Sequence, residues 1–264
     1  MMDRPQYYYG VGNGWQPILA DIGLGNSDAV FTHPDIRVWR KLPDRENGIF
    51  DAMLHDGRAI RLHVKRYASV RARRTPGEAE TEGVFLLERA QIPTLSLVAW
   101  GRLPDRRSFV ITEDLAGFDA ADKRIERCEI TFDDIRDQTS DLVSRLHNAN
   151  LHHRDLYLCH FFARSENGVV DLRLIDAARV KMLPRWFFRA RWIVKDLAQF
   201  WYSATRLNVD EKRLDAWLAR YARQRNIADV TPLRAAITRK VRWIENHDAR
   251  LNRKQPDRNV SIPR

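Results

Sequence analysis

The dipeptide Asn167-Gly168 constrains this chain most, because it joins two short apolar runs. Both residues tolerate positive φ, which a tight hairpin turn requires at its two central positions. Phe161-Phe162 supplies one arm, and Val169-Val170-Asp171-Leu172-Arg173-Leu174-Ile175 supplies the other. Folding the ribbon there sets Asp176 opposite Cys159 and His160. Asp155 sits in the loop that feeds the first arm, within Leu151-His152-His153-Arg154-Asp155-Leu156-Tyr157-Leu158-Cys159-His160. Two carboxylates from distant positions converge at one end of a hairpin.

That convergence suits phosphoryl transfer from a nucleotide. One Asp accepts or orients an acceptor hydroxyl, and the other holds the magnesium that bridges the phosphates. His-Arg-Asp alone occurs by chance, and Asp at a strand end is ordinary turn chemistry, so the surrounding chain has to decide.

Upstream, the chain reads as β-rich from Arg37. Arg37 to Arg40 forms a short strand, Lys41 to Gly48 a turn and Ile49 to Leu54 a second strand. Ala59 to Tyr67 alternates apolar and polar residues as a half-buried strand does. Ile60, Leu62 and Val64 share one face, so Lys65 lies on the other with Arg61 and His63. Glu78 to Ala90 has helical spacing and must stop before Pro93. Glu80 falls on the same stripe as Val84 and Leu87, and a carboxylate there wants a cation. Lys65 is the first choice of partner; Glu82 is the second choice for the carboxylate, and Glu78 and Glu88 read as solvated. Leu95 to Gly101 and Ser108 to Glu113 make two further strands, after which Thr112-Glu113-Asp114-Leu115 leaves the sheet. In a kinase, backbone groups at that exit meet the adenine.

Downstream the pattern turns helical. Thr131 with Asp134 has the form of a capping box, ahead of a helix carrying Ile135, Leu142, Val143 and Leu146 that ends near Asn148 to Asn150. Val194 to Ala204 is a helix burying Leu197, Phe200, Trp201 and Ala204. Asp196 in it either favours the helix dipole or, on a kinase reading, grips the backbone of the Asp155 loop. Asp210 caps a helix burying Leu214, Trp217, Leu218 and Tyr221, and Thr231-Pro232 starts another with Leu233, Ile237, Val241 and Ile244 inside. Its outer face carries Arg234, Arg239, Lys240 and Arg242. Pro184 to Trp192 interleaves arginine and aromatic residues, a pattern that either stacks nucleic-acid bases or packs with a cationic edge; the second is preferred.

Composition narrows the partners. With 264 residues and a net charge of +10, the surface favours anions: nucleotide, phosphorylated substrate, acidic lipid or nucleic acid. No apolar run approaches the ~20 residues of a membrane span, and the start lacks the apolar core of a secretory signal. The two cysteines, Cys128 and Cys159, lack metal or redox spacing and fit a reducing cytosol. A zinc site from His152, His153, Cys159 and His160 has no supporting ligand spacing.

His153-Arg154-Asp155-Leu156-Tyr157-Leu158-Cys159-His160-Phe161 resembles the signature of the lipopolysaccharide kinase family, whose members phosphorylate core heptose or Kdo, and is nearest its heptose kinase branch. Val194-Lys195-Asp196-Leu197-Ala198 through Tyr202-Ser203-Ala204 resembles a second family block. Weaker matches are Val64-Lys65, Glu80, Ile92-Pro93-Thr94, Phe109 to Leu115, and Ile175-Asp176 with Arg179. The resemblance covers roughly residues 37 to 225.

It implies an α+β, protein-kinase-like bilobal fold: a small β-rich N-lobe with one helix (35–115) and a larger, mainly helical C-lobe (116–248). A separate arm at 1–34 and a basic tail at 249–264 would flank them. It implies ATP and Mg2+ as cofactors. Asp155 would be the catalytic base, grouped with Arg154 and His153; Asp176 the metal ligand; Lys65 the phosphate lysine, with Glu80 its partner; and Asp196 a structural support. Gly48, Glu113 and His160 would complete the ATP and phosphate contacts. His160 takes the place of the protein-kinase Asn. Imidazole suits magnesium less than oxygen does, so phosphate binding or orientation of Asp176 are the roles open to it. No Gly-x-Gly-x-x-Gly occurs, Asp176 precedes Ala-Ala instead of Phe-Gly, and Ala-Pro-Glu is missing, unlike an ordinary protein kinase. The implied acceptor is a lipid-linked core saccharide, met in the cytoplasm at the inner face of the inner membrane through peripheral basic patches, with no transmembrane segment and no nucleic acid as partner. Another acceptor, or a pseudokinase that binds anionic glycolipid, are the competing readings.

Overall fold

The computed structural model describes residues 8–185 and 188–254. The chain divides into two compact units. One comprises residues up to Phe85 with Leu95–Ala116; the other comprises Leu86–Thr94 and the chain from Gly117.

The first unit is built on a six-stranded antiparallel sheet. Its strands are β1 (Tyr8–Val11), β2 (Arg37–Lys41), β3 (Arg45–Met53), β4 (Ala59–Tyr67), β5 (Leu97–Arg102) and β6 (Ser108–Glu113), in the order β1-β5-β6-β4-β3-β2. Two short helices, α1 (Trp15–Asp21) and α2 (Ser27–Thr32), lie between β1 and β2. Leu19, Leu24 and Val30 from this stretch join Leu62, Val64, Phe109 and Ile111 of the sheet in one buried cluster.

The expected separate arm at 1–34 is therefore corrected for its described part. Tyr8–Val11 pairs with β5 as an edge strand, and α1 and α2 cap the sheet's core, so this unit has more than one helix. Helix α3 (Pro76–Arg89) crosses the boundary between the units.

The expected turn at 41–48 is also shorter than read. Leu42 and Arg45 close it with reciprocal backbone bonds of 2.8 and 3.4 Å, and β3 has begun by Arg45. Gly48 is thus inside β3, paired with Val38 and Val64. A Cβ there would lie 2.7 Å from Ile36 Cγ2. Close packing explains this glycine, and its expected place in a phosphate turn is withdrawn.

In the second unit, α5 (Phe132–Asn148) follows α4 (Ala121–Glu126) and starts with the expected capping box: Asp134 N–H donates to Thr131 Oγ1 at 3.3 Å, and Thr131 N–H donates to Asp134 Oδ2 at 2.7 Å. β9 (Phe161–Glu166) and β10 (Val169–Leu174) form the hairpin, with φ of 51° at Asn167 and 77° at Gly168. A two-residue strand, β7 (Asp119–Ala120), adds to β9; β8 (Leu151–His152) pairs with β11 (Lys181–Met182).

Helices α6 (Arg189–Thr205), α7 (Glu211–Gln224) and α8 (Thr231–Lys254) complete the unit, α7 packing on α5 and α8 on α6. Phe200 stacks on Trp217 at 4.3 Å in the middle of this layer. Helix α8 runs through Lys254, so the expected tail at 249–264 is helical as far as it is described. The rest of that tail, and the Trp186-Phe187 centre of the basic aromatic segment, lie outside the described residues.

Candidate functional site

The first unit carries one constellation. Alternation along β4 turns Lys65 away from the buried Leu62 and Val64. The first turns of α3 bring Glu80 to it: Lys65 Nζ lies 2.5 Å from Glu80 Oε1, and the Tyr67 hydroxyl donates to Glu80 Oε2. Glu80 is fully buried, and these two donors satisfy its carboxylate oxygens. Glu82, the second choice, is half exposed and pairs with Arg74 instead. Glu113 ends β6 and donates its backbone N–H to Ser96 O at 3.1 Å. The carbonyl is then the main-chain group it could offer a ligand. His63, also on the polar face of β4, contacts Asp114 Oδ1 at 2.7 Å.

The second unit carries the other constellation, at the base of the β9–β10 hairpin. Leu174 pairs with Phe161, and Ile175 N–H donates to His160 O at 2.9 Å, so Asp176 emerges beside His160 as the hairpin register requires. Asp176 adopts a left-handed conformation, φ 60° and ψ 56°, which costs a non-glycine residue free energy and marks a constrained position. Ligand atoms of Asp155, His160 and Asp176 all lie within 4.8 Å of one another. Among the described residues, no other group of His, Cys, Asp and Glu converges in this way. Among the described residues the alternative zinc set does not converge: the His152 ring lies tilted against Trp192, centroids 4.9 Å apart, and burial drives the Cys159 thiol up to about 12.

The donor set fits a divalent cation. Two carboxylates supply hard oxygen ligands. His160 Nδ1 meets the Asp155 backbone carbonyl at 2.6 Å, which makes that nitrogen the donor and aims Nε2 at Asp176 Oδ2, 3.5 Å away. An imidazole lone pair and a carboxylate at that separation want a positive charge, a proton or a metal ion, between or beside them.

Helix α6 holds the loop in place. Asp196, wholly buried, accepts from the amides of His153 at 2.7 Å and Arg154 at 2.8 Å. Gln199 Oε1 accepts from Leu156 N–H at 3.2 Å, and Ser203 Oγ from Leu158 N–H at 2.9 Å. Burial works against the Asp196 carboxylate, but His147, His153 and the His153 amide together hold its pKa below the usual range. His147 links Asp196 to the Tyr221 hydroxyl, at 3.5 and 2.8 Å.

His153 and Arg154 serve as supports. His153 is fully buried with Nε2 against Ile175 O at 3.0 Å, and the Arg154 guanidinium lies 4.6 Å over the Trp192 ring. These contacts give both residues a positioning part beside Asp155, and the His153 ring lies 5.9 Å from that of His160.

Two cations near Asp155 were not picked out as site residues in the sequence. Arg179 Nη1 lies 3.7 Å from Asp155 Oδ1. Lys195 donates to the Arg154 carbonyl, and burial, with the charges of Arg179 and Arg154, lowers its pKa to about 8. The signal for Lys195 was its place one residue before Asp196.

The folds of the two units and these two constellations define a protein-kinase-like protein. A solved structure of WaaP in complex with acyl carrier protein has the same fold, with a TM-score of 0.68 over 89% of this chain and 98% of that one, at 23% identity. The model of the lipopolysaccharide kinase (Kdo/WaaP) family matches residues 39–221, and the chain belongs to that family. It is similar to the lipopolysaccharide core heptose(I) kinase WaaP of Escherichia coli strain K12, 24% identical over a 180-residue alignment, with 62% of this chain and 65% of that protein covered. It is also similar to the WaaP of Pseudomonas aeruginosa, 28% identical over 165 residues, 55% of this chain and 59% of that protein. The chain thus spans less than two thirds of the length of these curated relatives.

Proposed function

We propose that the protein transfers the terminal phosphoryl group of ATP to a sugar hydroxyl, of heptose or Kdo, on a lipopolysaccharide core. The observation that carries this reading is the convergence of Asp155, His160 and Asp176 at the hairpin base, in a chain of the lipopolysaccharide kinase family.

Asp155 accepts the proton of the attacking hydroxyl. Its carboxylate is a quarter exposed and so is open to an acceptor. Arg179 and Lys195 keep the surroundings cationic, which favours an anionic acceptor. Asp176, with Asp155 and His160 nearby, would hold Mg2+, which when bound neutralises phosphate charge. Lys65, held by Glu80, binds phosphate oxygens, and the Glu113 carbonyl is a candidate for the adenine edge. The turn at Leu42 to Asp44 has no glycine, so phosphate binding depends on side-chain cations more than on a backbone cradle. The acceptor is lipid-linked, and the protein meets it in the cytoplasm, peripherally, at the inner membrane surface. No described helix is long and apolar enough to cross a membrane.

The test is transfer from labelled ATP with magnesium to dephosphorylated lipopolysaccharide core, with Asp155→Ala and Asp176→Ala alongside. Transfer abolished in Asp155→Ala, and magnesium-dependent nucleotide binding lost in Asp176→Ala, support the reading. Normal turnover in Asp155→Ala overturns the assignment of the base. Magnesium-dependent binding without transfer moves the acceptor to another class.

A further inference from the structure

Several arginines of the second unit are tied to carboxylates. Arg220 pairs with Asp141 and Asp137, Arg213 with Asp133 and Asp210, and Arg136 with Asp133 and Asp137. Helix α8 carries arginines of both kinds, on different sides. It buries Ile237, Val241 and Ile244 against α6. Near that stripe its first arginine, Arg234, is engaged with Asp215 at 2.6 Å and stacks 4.4 Å over Trp201.

The opposite side is different. At 3.6 residues per turn, Arg239, Arg242, Trp243, Asn246, Arg250 and Arg253 fall on one arc, and all six are exposed. None of those four arginines forms an ion pair with a described residue. The two acidic residues of the helix are off this arc: Asp248 accepts from the Tyr202 hydroxyl at 2.9 Å, and Glu245 flanks the buried stripe. Trp243 is 55% exposed. Lys240 Nζ lies 3.4 Å from its ring centroid, and the His247 ring stacks parallel to it at 5.1 Å. The arc continues positive onto α6, where Arg191 is exposed and close enough to act on Lys240.

A row of unpaired cations costs self-repulsion unless an anionic partner covers it. We propose that the outer face of α8 docks on a membrane surface containing anionic phospholipid, with the arginines at the headgroup phosphates and Trp243 in the headgroup layer. Charge complementarity selects an anionic partner, and the exposed indole among the cations selects a bilayer. Indole rings settle at the membrane–water boundary, and basic faces with an aromatic anchor lie along it. The helix has 24 residues and is about 36 Å long, so several headgroups are within reach at once.

This inference deepens the reading of a lipid-linked acceptor by naming the surface that reaches the lipid. Its test needs neither nucleotide nor acceptor. The full chain is floated with vesicles of phosphatidylcholine alone, or of phosphatidylcholine with phosphatidylglycerol. Two double charge reversals of equal net charge are compared: Arg239→Glu with Arg242→Glu on α8, and Arg71→Glu with Arg73→Glu, which are exposed in the other unit. The expected result is binding that requires phosphatidylglycerol and weakens ~10-fold or more only in the α8 variant, with Trp243→Ala weakening it further at high salt. Circular dichroism confirms that each variant is folded.

Equal losses in both double variants would show diffuse attraction and overturn the assignment of α8. So would binding by the α8 variant equal to the parent, or no preference for the anionic vesicle. Retention on an acidic protein or on nucleic acid, without vesicle binding, would assign the face to that partner and refute the bilayer. Vesicle binding with no transfer to detergent-solubilised core faults the acceptor reading and leaves the surface standing; the reverse result faults the surface alone.

Discussion

Asp196→Ala should unfold the Asp155 loop locally and cost a large share of the protein's stability. The side chain is wholly buried and is the acceptor for two main-chain amides, those of His153 and Arg154, at 2.7 and 2.8 Å. Alanine leaves both donors, and His147 Nε2, without that acceptor in a dry site. An unsatisfied buried donor costs about 1–3 kcal/mol. His147 is held neutral, because burial lowers its pKa more than Asp196 raises it, so no isolated charge is left behind. The expected loss is then ~3–5 kcal/mol, against a typical total of ~5–15 kcal/mol. Asp196→Asn keeps one acceptor oxygen but turns an NH2 group toward an amide, and should cost roughly half as much. Urea unfolding followed by circular dichroism gives the stability, and amide exchange at His153 and Arg154 gives the local effect, with ~100-fold or greater acceleration for alanine at 3 kcal/mol. A loss under ~1 kcal/mol for alanine, or exchange at those two amides no faster than in the parent, would refute the anchoring argument.

Glu80→Ala should destabilise by roughly 3 kcal/mol, because it removes the buried carboxylate that Lys65 and the Tyr67 hydroxyl both engage, whereas half-exposed Glu82→Ala should stay within ~0.5 kcal/mol; thermal melts that rank the two the other way would sink the pairing. Gly168→Ala, at φ 77° with open space around the Cβ position, should cost about 1 kcal/mol from backbone strain alone, seen as a lower urea midpoint with unchanged slope. Burial depresses His152 from 6.5 to about 4 and lowers His147 and His153 as well. The unfolded chain therefore binds protons between pH 6.5 and 4 that the folded one refuses. Stability should fall as pH drops through that window and be insensitive to these groups above it; an equal or higher urea midpoint at pH 5 than at pH 7 would contradict this.

What could be read from the sequence was what local chemistry decides. Asn167-Gly168 fixed the hairpin because a two-residue turn with positive φ has few solutions, and the register of Phe161 with Leu174 follows from it. The strand β4 and the Lys65–Glu80 pair were legible because period 2 and period 3.6 each place one residue on a face. The start of β3 was missed because Arg45, Glu46 and Asn47 read as turn residues. In the sheet Glu46 lies between Lys41, at 2.7 Å, and Arg66, at 3.9 Å, so cross-strand charge replaces the apolar signal. The α1 and α2 helices, seven and six residues long, are too short to show a period, and only the sheet core they cover makes them stable. In α6, Gln199 and Ser203 were passed over among the apolar residues. Their burial is settled by the loop amides they satisfy, which are distant in sequence.

That last point bears on how the candidate site is assembled. Asp196, Gln199 and Ser203 recur along one side of α6 and take the amides of residues 153, 154, 156 and 158 in order. The Asp155 loop is thus fixed by its main chain, from both sides of Asp155, through acceptors on a helix that is itself locked by Phe200 stacked on Trp217. None of these bonds uses the Asp155 side chain, and the Asp155 carbonyl, which accepts from Tyr157 N–H at 3.0 Å and meets His160 Nδ1, survives any substitution there. The arrangement separates the chemistry from the scaffold. Removing the carboxylate of Asp155 takes away the proposed base, one oxygen donor of the candidate cation cluster and one weak ion pair with Arg179, while removing the carboxylate of Asp196 loosens the loop that presents it. A loss of transfer in Asp155→Ala is therefore interpretable as chemistry, and the same loss in Asp196→Ala is not, unless amide exchange shows that the loop has kept its shape.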